Sequence, residues 1–215
     1  MADRPVDSMR REYGATALDE SSAHPNPIEQ FRTWFESARS IDPHEANAMT
    51  LATVDGDGRP AARIVLLKDF NESGFVFYTN RASAKGRALA ENPECALVFW
   101  WPSLERQVRV EGTVSLVDDA TANEYFASRP RQSQLGAAAS EQSSVISDRA
   151  TLESRFAELN ARFANQPIPR PPTWGGYCVK PRAVEFWQGR ESRMHDRLLY
   201  TRSATGGWVI RRLSP

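Results

Sequence analysis

Cysteine is scarce in this chain: Cys95 and Cys178 are the only two among 215 residues. They stand far apart with no second cysteine or histidine nearby. A disulfide framework or a zinc site is therefore not expected, and two reduced core thiols are. Histidine is as sparse. His24, His44 and His195 are too scattered to form a metal cluster, so no metal is expected. Net charge is missing too, because 27 Lys and Arg balance 27 Asp and Glu. The basic excess of a nucleic-acid binder is thus absent, although local basic pockets for small anions remain open. No apolar run approaches the roughly 20 residues of a membrane span. The first 22 residues carry no apolar signal core, so a cytoplasmic protein without a membrane partner is expected. Neither a glycine-rich dinucleotide fingerprint nor a P-loop occurs, which disfavours the usual nicotinamide and ATP enzymes.

What is present reads as one sizeable domain with a decorated N-terminus. Residues 1–24 are poor in large apolar side chains and read as a mobile arm. It carries a basic-aromatic cluster, Arg10-Arg11-Glu12-Tyr13, that suits either a charged tail or a lid over a ligand. Residues 25–215 read as a single domain. Asn26-Pro27-Ile28-Glu29 starts a helix, with Asn as cap and Pro in the first turn. Ile28, Phe31, Trp34, Phe35 and Ala38 form its apolar stripe.

From Ala48 the period changes to that of strands. Ala48–Val54 and Ala61–Lys68 flank the turn-rich Asp55-Gly56-Asp57-Gly58, a hairpin signal. Strands are expected at Phe75–Thr79, Cys95–Trp101, Gln107–Val117, Gly176–Val179, Ala183–Gln188, His195–Arg202 and Trp208–Leu213. Helices are expected at Ser83–Asn92, Asp118–Ser128 and Ser147–Asn165, the last with Leu152, Phe156, Leu159 and Phe163 as its stripe. The early strands follow one another through tight turns, not in strand-helix alternation. The expected class is mainly β with peripheral helices (α+β), as an antiparallel barrel.

The densest chemistry lies in Val184-Glu185-Phe186-Trp187-Gln188-Gly189-Arg190-Glu191-Ser192-Arg193-Met194-His195-Asp196-Arg197. Read as strand, turn, strand, it places Arg193, His195 and Arg197 on one face by alternation. Two guanidinium groups flanking an imidazole suit a planar anionic ligand. A solvated edge with ion pairs to Asp196 and Glu191 is the plainer alternative.

Together with other blocks, this run resembles the pyridoxine (pyridoxamine) 5′-phosphate oxidase family. Arg10-Arg11-Glu12-Tyr13 resembles the family's N-terminal lid, and Arg63-Ile64-Val65-Leu66-Leu67-Lys68 its flavin-binding strand. Tyr78-Thr79-Asn80, Leu104–Val108, Tyr125–Arg131, Ser133–Ala137, Gln142–Ser144, Trp174-Gly175-Gly176 and Arg212–Pro215 also match in order. The resemblance runs from residue 10 to the end.

It implies an FMN-binding antiparallel split β-barrel that forms a homodimer with FMN at the subunit interface. It also implies oxidation of pyridoxine or pyridoxamine 5′-phosphate to pyridoxal 5′-phosphate, with O2 reduced to hydrogen peroxide. By the same resemblance, the FMN phosphate goes to Arg63, Thr79, Lys85 and Ser143. The backbone of Ile64, Val65, Leu66 and Leu67 follows the flavin from Arg63 to Lys68, beside Tyr78. Gln107 and Gln142 offer amides, and Trp187 and Arg197 complete the flavin contacts. The substrate phosphate goes to Lys68, Tyr125, Arg129 and Ser133. Arg193, Met194 and His195 hold the substrate ring, and Arg10, Arg11, Glu12 and Tyr13 close over it.

For His195, a general base and an orienting hydrogen bond are both open. Ala84 stands where the family often has Arg, which leaves Arg63 and Lys85 alone on the FMN phosphate unless Arg81 or Arg87 substitutes. Two rivals share the barrel. One is a flavin oxidase of phenazine biosynthesis, disfavoured by the substrate-phosphate set and the lid. The other is a non-enzymatic flavin or pyridoxal-phosphate carrier.

Overall fold

The computed structural model describes residues 12–14, 16–204 and 206–215. Within them the elements run α1 (Pro27–Ile41), β1 (Ala48–Val54), β2 (Pro60–Leu66), β3 (Asp69–Asn71), β4 (Gly74–Asn80), α2 (Ala84–Glu91), β5 (Glu94–Trp101) and β6 (Arg106–Leu116). Then follow α3 (Asp119–Ser128), α4 (Arg131–Ala139), α5 (Arg149–Arg162), β7 (Trp174–Gln188), β8 (Asp196–Arg202) and β9 (Trp208–Arg212). The nine strands form one sheet in the order β2-β1-β5-β6-β7-β4-β3, with β8 on β7 and β9 on β8. The pairings β3–β4, β4–β7, β7–β8 and β8–β9 are antiparallel; short turns join β3 to β4, β7 to β8 and β8 to β9, whereas β4 and β7 lie far apart in sequence.

Contacts divide the chain into two compact units. The terminal unit comprises the described residues up to Met49, Leu97–Glu111 and Arg182–Pro215. The central unit comprises Thr50–Ala96 and Gly112–Pro181.

In the terminal unit, α1 starts as its sequence predicts, with the Asn26 side chain accepting from the Ile28 N–H at 2.9 Å. Its stripe buries Ile28, Phe31, Trp34 and Ala38, while Phe35 is half-buried. Phe31 meets Phe99 edge-on at 4.9 Å and Trp34 meets Phe186 at 5.2 Å. Such pairs add roughly 0.5–1.5 kcal/mol each to the area they bury.

In the central unit, Phe126, Leu135, Ile168 and Trp174 form a buried cluster, covered by Phe156, Leu159 and Phe163. Phe156, Leu159 and Phe163 of the predicted stripe pack here, whereas Leu152 is exposed, and no α5 residue is fully buried.

Besides the short unexpected strand β3, three elements depart from expectation. The helix α4 was not anticipated, because Pro130 gives it no side-chain cap and Gly136 interrupts it. The two strands expected at Gly176–Val179 and Ala183–Gln188 are one strand, β7, continuous through Pro181. Gly112 makes room there, since a Cβ at that position would lie 2.1 Å from the Lys180 carbonyl oxygen and 3.1 Å from Pro181 Cα. Finally, β8 begins at Asp196, and Glu191–Arg193 form a 3-10 turn instead of an extended chain. Arg193, His195 and Arg197 therefore do not share a strand face by alternation.

Candidate active site

The central unit gathers one set of expected residues around a cavity of about 390 Å³. Ile64, Val65 and Leu66 of β2, Lys68, Tyr78 and Thr79 of β4, Lys85 of α2, and Gln142 line it. Tyr125, Arg129 and Ser133, from α3 and α4, close its other side with Pro130 and Trp174. Local structure explains these positions. The Ser83 side chain caps α2, which sets Lys85 in the first turn. The α3 helix ends at Arg129, and Pro130 restarts the chain as α4 with Ser133 in its first turn. Tyr125 stacks on Tyr78 at 4.1 Å, and Tyr78 on Trp174 at 5.2 Å.

The cations here have no carboxylate partner among the described residues. Lys85 is buried, yet its Nζ donates only to neutral groups. These are Gln142 Oε1 at 3.0 Å, Thr79 Oγ1 at 3.3 Å and Ser83 Oγ at 3.3 Å. Burial lowers the Lys85 pKa, and the nearby Arg63 guanidinium lowers it further. Arg63 is tied to β1, its Nη1 donating to Leu51 O at 3.0 Å and Thr53 Oγ1 at 2.9 Å.

Lys68 is likewise lowered by desolvation and by Arg129. Arg129 lies over the Trp174 ring at 4.9 Å, and its Nη1 is buried without a hydrogen-bond partner among the described residues. The four cations thus fall into two like-charged pairs, Arg63 with Lys85 and Lys68 with Arg129. Packing two cations together without an anion is unfavourable unless a ligand brings the negative charge. The orphaned Arg129 Nη1 and the buried Lys85 fit two bound phosphates.

Some expected residues do not line this cavity, Arg63 and Leu67 among them. Ser143, next to Gln142, is exposed at φ +74°. Arg81 donates to Pro172 O at 2.8 Å and Arg87 to Ala82 O at 2.5 Å. Neither guanidinium lines the cavity in place of the arginine missing at Ala84.

The terminal unit gathers the second set. Trp187 of β7 sits opposite Arg197 of β8 in register. Trp187 and His195 lie 4.6 Å apart, and Tyr13 meets both edge-on, at 5.7 Å and 5.6 Å. Gly189 gives Tyr13 its place, because a Cβ there would come within 2.8 Å of the tyrosine ring. Arg193 is exposed in the 3-10 turn, with Ser192 at φ +53° and itself at φ +60°. Met194 is exposed. Desolvation lowers the His195 pKa, and Arg193 lowers it further. Gln107 is half-buried on β6. Glu12 is exposed; Arg10 and Arg11 lie outside the described residues.

Sequence reasoning missed Glu185. This carboxylate is 5% exposed and accepts from Arg197 Nε at 2.8 Å and Arg109 Nη1 at 3.0 Å. Arg197 Nη1 also donates to Ser214 O at 2.9 Å. The signal was available, because Glu185 and Trp187 are two apart on one strand and so share a face. Asp196 was read only as a possible ion-pair partner. It accepts from the Leu18 N–H at 3.1 Å and from Arg212 Nη1 at 2.7 Å. Glu105 was also missed, and accepts from the Gly14 N–H at 3.0 Å. These bonds fasten the stretch after Tyr13 in place.

Comparison with known proteins gives a consistent assignment. Residues 29–163 match the family model described as pyridoxamine 5′-phosphate oxidase. Residues 174–215 match that of the pyridoxine 5′-phosphate oxidase C-terminal dimerisation region. The pyridoxine/pyridoxamine 5′-phosphate oxidase of Acaryochloris marina is 56% identical over 210 residues, covering 98% of this chain and 95% of the relative. That of Rubrobacter xylanophilus is 55% identical over 214 residues, covering 100% and 98%.

Among solved structures, PhzG from Burkholderia lata, in complex with tetrahydrophenazine-1-carboxylic acid, superposes with a TM-score of 0.87 at 28% identity. It covers 94% of this chain and 100% of its own. A pyridoxamine 5′-phosphate oxidase-related, FMN-binding protein from Nostoc punctiforme, at 20% identity, shares the fold with a TM-score of 0.70, covering 93% and 100%. The mainly antiparallel sheet with peripheral helices is thus the split barrel expected from the sequence, and the chain belongs to the pyridoxine/pyridoxamine 5′-phosphate oxidase family of enzymes.

Proposed function

We propose that this chain oxidises pyridoxamine and pyridoxine 5′-phosphate to pyridoxal 5′-phosphate with FMN as cofactor, in vitamin B6 biosynthesis and salvage. The observation that carries the reading is the pair of carboxylate-free cation couples in the central unit, which suits two phosphorylated ligands. Arg63, Lys85 and Thr79, with Gln142 and Ser143 alongside, hold the FMN phosphate. Ile64 to Leu67 carry the backbone along the flavin beside Tyr78. Lys68, Tyr125, Arg129 and Ser133 hold the substrate phosphate, where the unpartnered Arg129 Nη1 acquires an acceptor.

When bound, FMN supplies the two-electron acceptor for a hydride leaving substrate C4′, and O2 takes the electrons on to hydrogen peroxide. The protein's own share is to position, to shield and to set charge. Arg197, fixed by Glu185, and the amide of Gln107 place donors near the cofactor, with Trp187 alongside. Arg193, Met194 and His195 orient the substrate ring, and Arg10 to Tyr13 cover it and exclude water. The match of residues 174–215 to a dimerisation region supports a homodimer with FMN at the subunit interface. The Lys68–Arg129 couple favours a phosphorylated substrate over a phenazine-type one.

The test is an absorbance spectrum of the purified protein followed by anaerobic addition of pyridoxine 5′-phosphate. Flavin absorbance that bleaches with substrate and returns with air is expected. A colourless protein that takes up no FMN would reject the reading. A yellow protein that does not bleach would make it a carrier.

A further inference from the structure

His195 is held by a bond that fixes where its proton sits. The Arg190 backbone N–H donates to His195 Nδ1 at 3.1 Å. A backbone N–H can only donate, so Nδ1 must present its lone pair, and the neutral ring then carries its proton on Nε2.

The surrounding chain holds this bond in place. Gln188 Nε2 donates to Leu104 O and Glu105 O, both at 3.1 Å, and the Gly189 N–H donates to Glu105 O at 2.8 Å. These bonds anchor the chain just before Arg190. The turn then reverses through Ser192 and Arg193, both in the left-handed region, and closes with the Met194 N–H on Glu191 O at 3.0 Å. Two consecutive non-glycine residues in that region persist only where the surroundings over-determine them. Trp187 and Tyr13 pack against the imidazole. The neighbouring Arg193 charge opposes a second proton on the ring.

The geometry points to the Arg190–Met194 turn as a positioning element that locks His195 in the Nε2–H tautomer. His195 then offers the substrate a hydrogen-bond donor directed at an acceptor atom of its ring, and does not serve as general base. In this tautomer Nε2 has no lone pair to take a proton, and Nδ1 is occupied. The inference rests on the proposed reading only in taking the pyridine ring as the partner of His195. The tautomer itself is a property of the ligand-free protein.

Two measurements test it. Nitrogen-15 spectra of histidine-labelled protein, assigned with His195→Gln, should show His195 Nδ1 as pyridine-type. A coupling across the hydrogen bond to the Arg190 amide is also expected. A protonated Nδ1 at neutral pH overturns the lock.

The second compares His195→Gln, which keeps an N–H near the Nε2 position, with His195→Ala. A lost donor costs about ten-fold in turnover, so His195→Gln should exceed His195→Ala by roughly that factor. A lost general base would slow both alike by about 100-fold or more, and equal loss overturns the donor role. If both variants match the wild type, the donor role also falls. The flavin reading stands or falls separately, on the absorbance spectrum.

Discussion

The β7–β8 ladder of the terminal unit and the Arg63–Lys85 and Lys68–Arg129 couples of the central unit lie in opposite electrostatic settings. In the terminal unit the β7–β8 ladder neutralises its guanidinium groups. Glu185 bridges Arg109 and Arg197, and Asp196 with Glu20 holds Arg212. In the central unit Arg63, Lys85, Lys68 and Arg129 have no carboxylate among the described residues. A paired guanidinium is fixed in place and adds direction to a site. A bare couple stores electrostatic cost that an anionic ligand relieves. The first arrangement suits a scaffold for uncharged or planar groups, the second a receptor for phosphate.

The sharpest way to break this contrast is Arg129→Met. If the Lys68–Arg129 couple exists for a ligand, the loss falls on function. The kcat/KM for pyridoxamine 5′-phosphate should drop by about 100-fold, matching a charged hydrogen bond of roughly 2–3 kcal/mol. Stability of the ligand-free protein should change by no more than about 1 kcal/mol, since removing the unpartnered charge offsets the lost ring contacts with Phe126 and Trp174. Urea unfolding beside steady-state kinetics checks both. A large loss of stability with intact kinetics would make Arg129 structural.

Glu185→Ala is the mirror experiment. It removes the carboxylate that Arg109 and Arg197 share, leaving Arg109 with Glu111 at 2.8 Å and Arg197 with no carboxylate among the described residues. Their side chains are 38% and 26% exposed, so solvent screens part of the cost. A destabilisation of about 2 kcal/mol is expected by urea unfolding, below the range for a fully buried pair. Glu185→Gln, which keeps an acceptor, should lose less. If Glu185→Ala is as stable as wild type, the ladder is not the scaffold described.

The contrast was only partly legible in the sequence. Alternation located the strands because a half-buried strand must alternate, and β1 and β5 do. The stripe of α1 was legible for the same reason at the helical period. The central-unit cavity lay within reach of the family resemblance, since most of its lining residues fall in short local blocks such as Ile64–Lys68 and Tyr125–Ser133. The continuity of β7 was not, because it depends on Gly112, some 70 residues away in sequence, to clear the Lys180 carbonyl. Nor was the 190–194 turn. Alternation presumed an extended chain from Arg193 to Arg197, whereas Ser192 and Arg193 adopt a conformation few L-residues choose. Ion-pair partners such as Glu185 are fixed by cross-strand register, which parity suggests but does not locate.

The smallest expected effect lies in the pH response of His195. Its pKa is depressed from the ordinary 6.5, by desolvation first and by the Arg193 charge second. Arg190 in the same turn is paired with Asp196, its Nε 3.7 Å from Oδ2, so it adds little net charge beside the ring, and Tyr13 and Trp187 add none. The folded state therefore resists protonation that the unfolded chain accepts. As pH falls through about 6.5 the unfolded state binds the extra proton first, so stability declines on acidification and recovers above that pH. Protonation would also set an N–H on Nδ1 against the Arg190 N–H, opening the turn. An NMR titration should place the His195 midpoint below 6.5. In urea unfolding across pH 5–7, wild type should lose more stability on acidification than His195→Gln, by less than one proton's slope. A His195 midpoint above 6.5 would mean that the folded protein favours the charged ring, and would remove the electrostatic basis for treating this ring as a neutral donor.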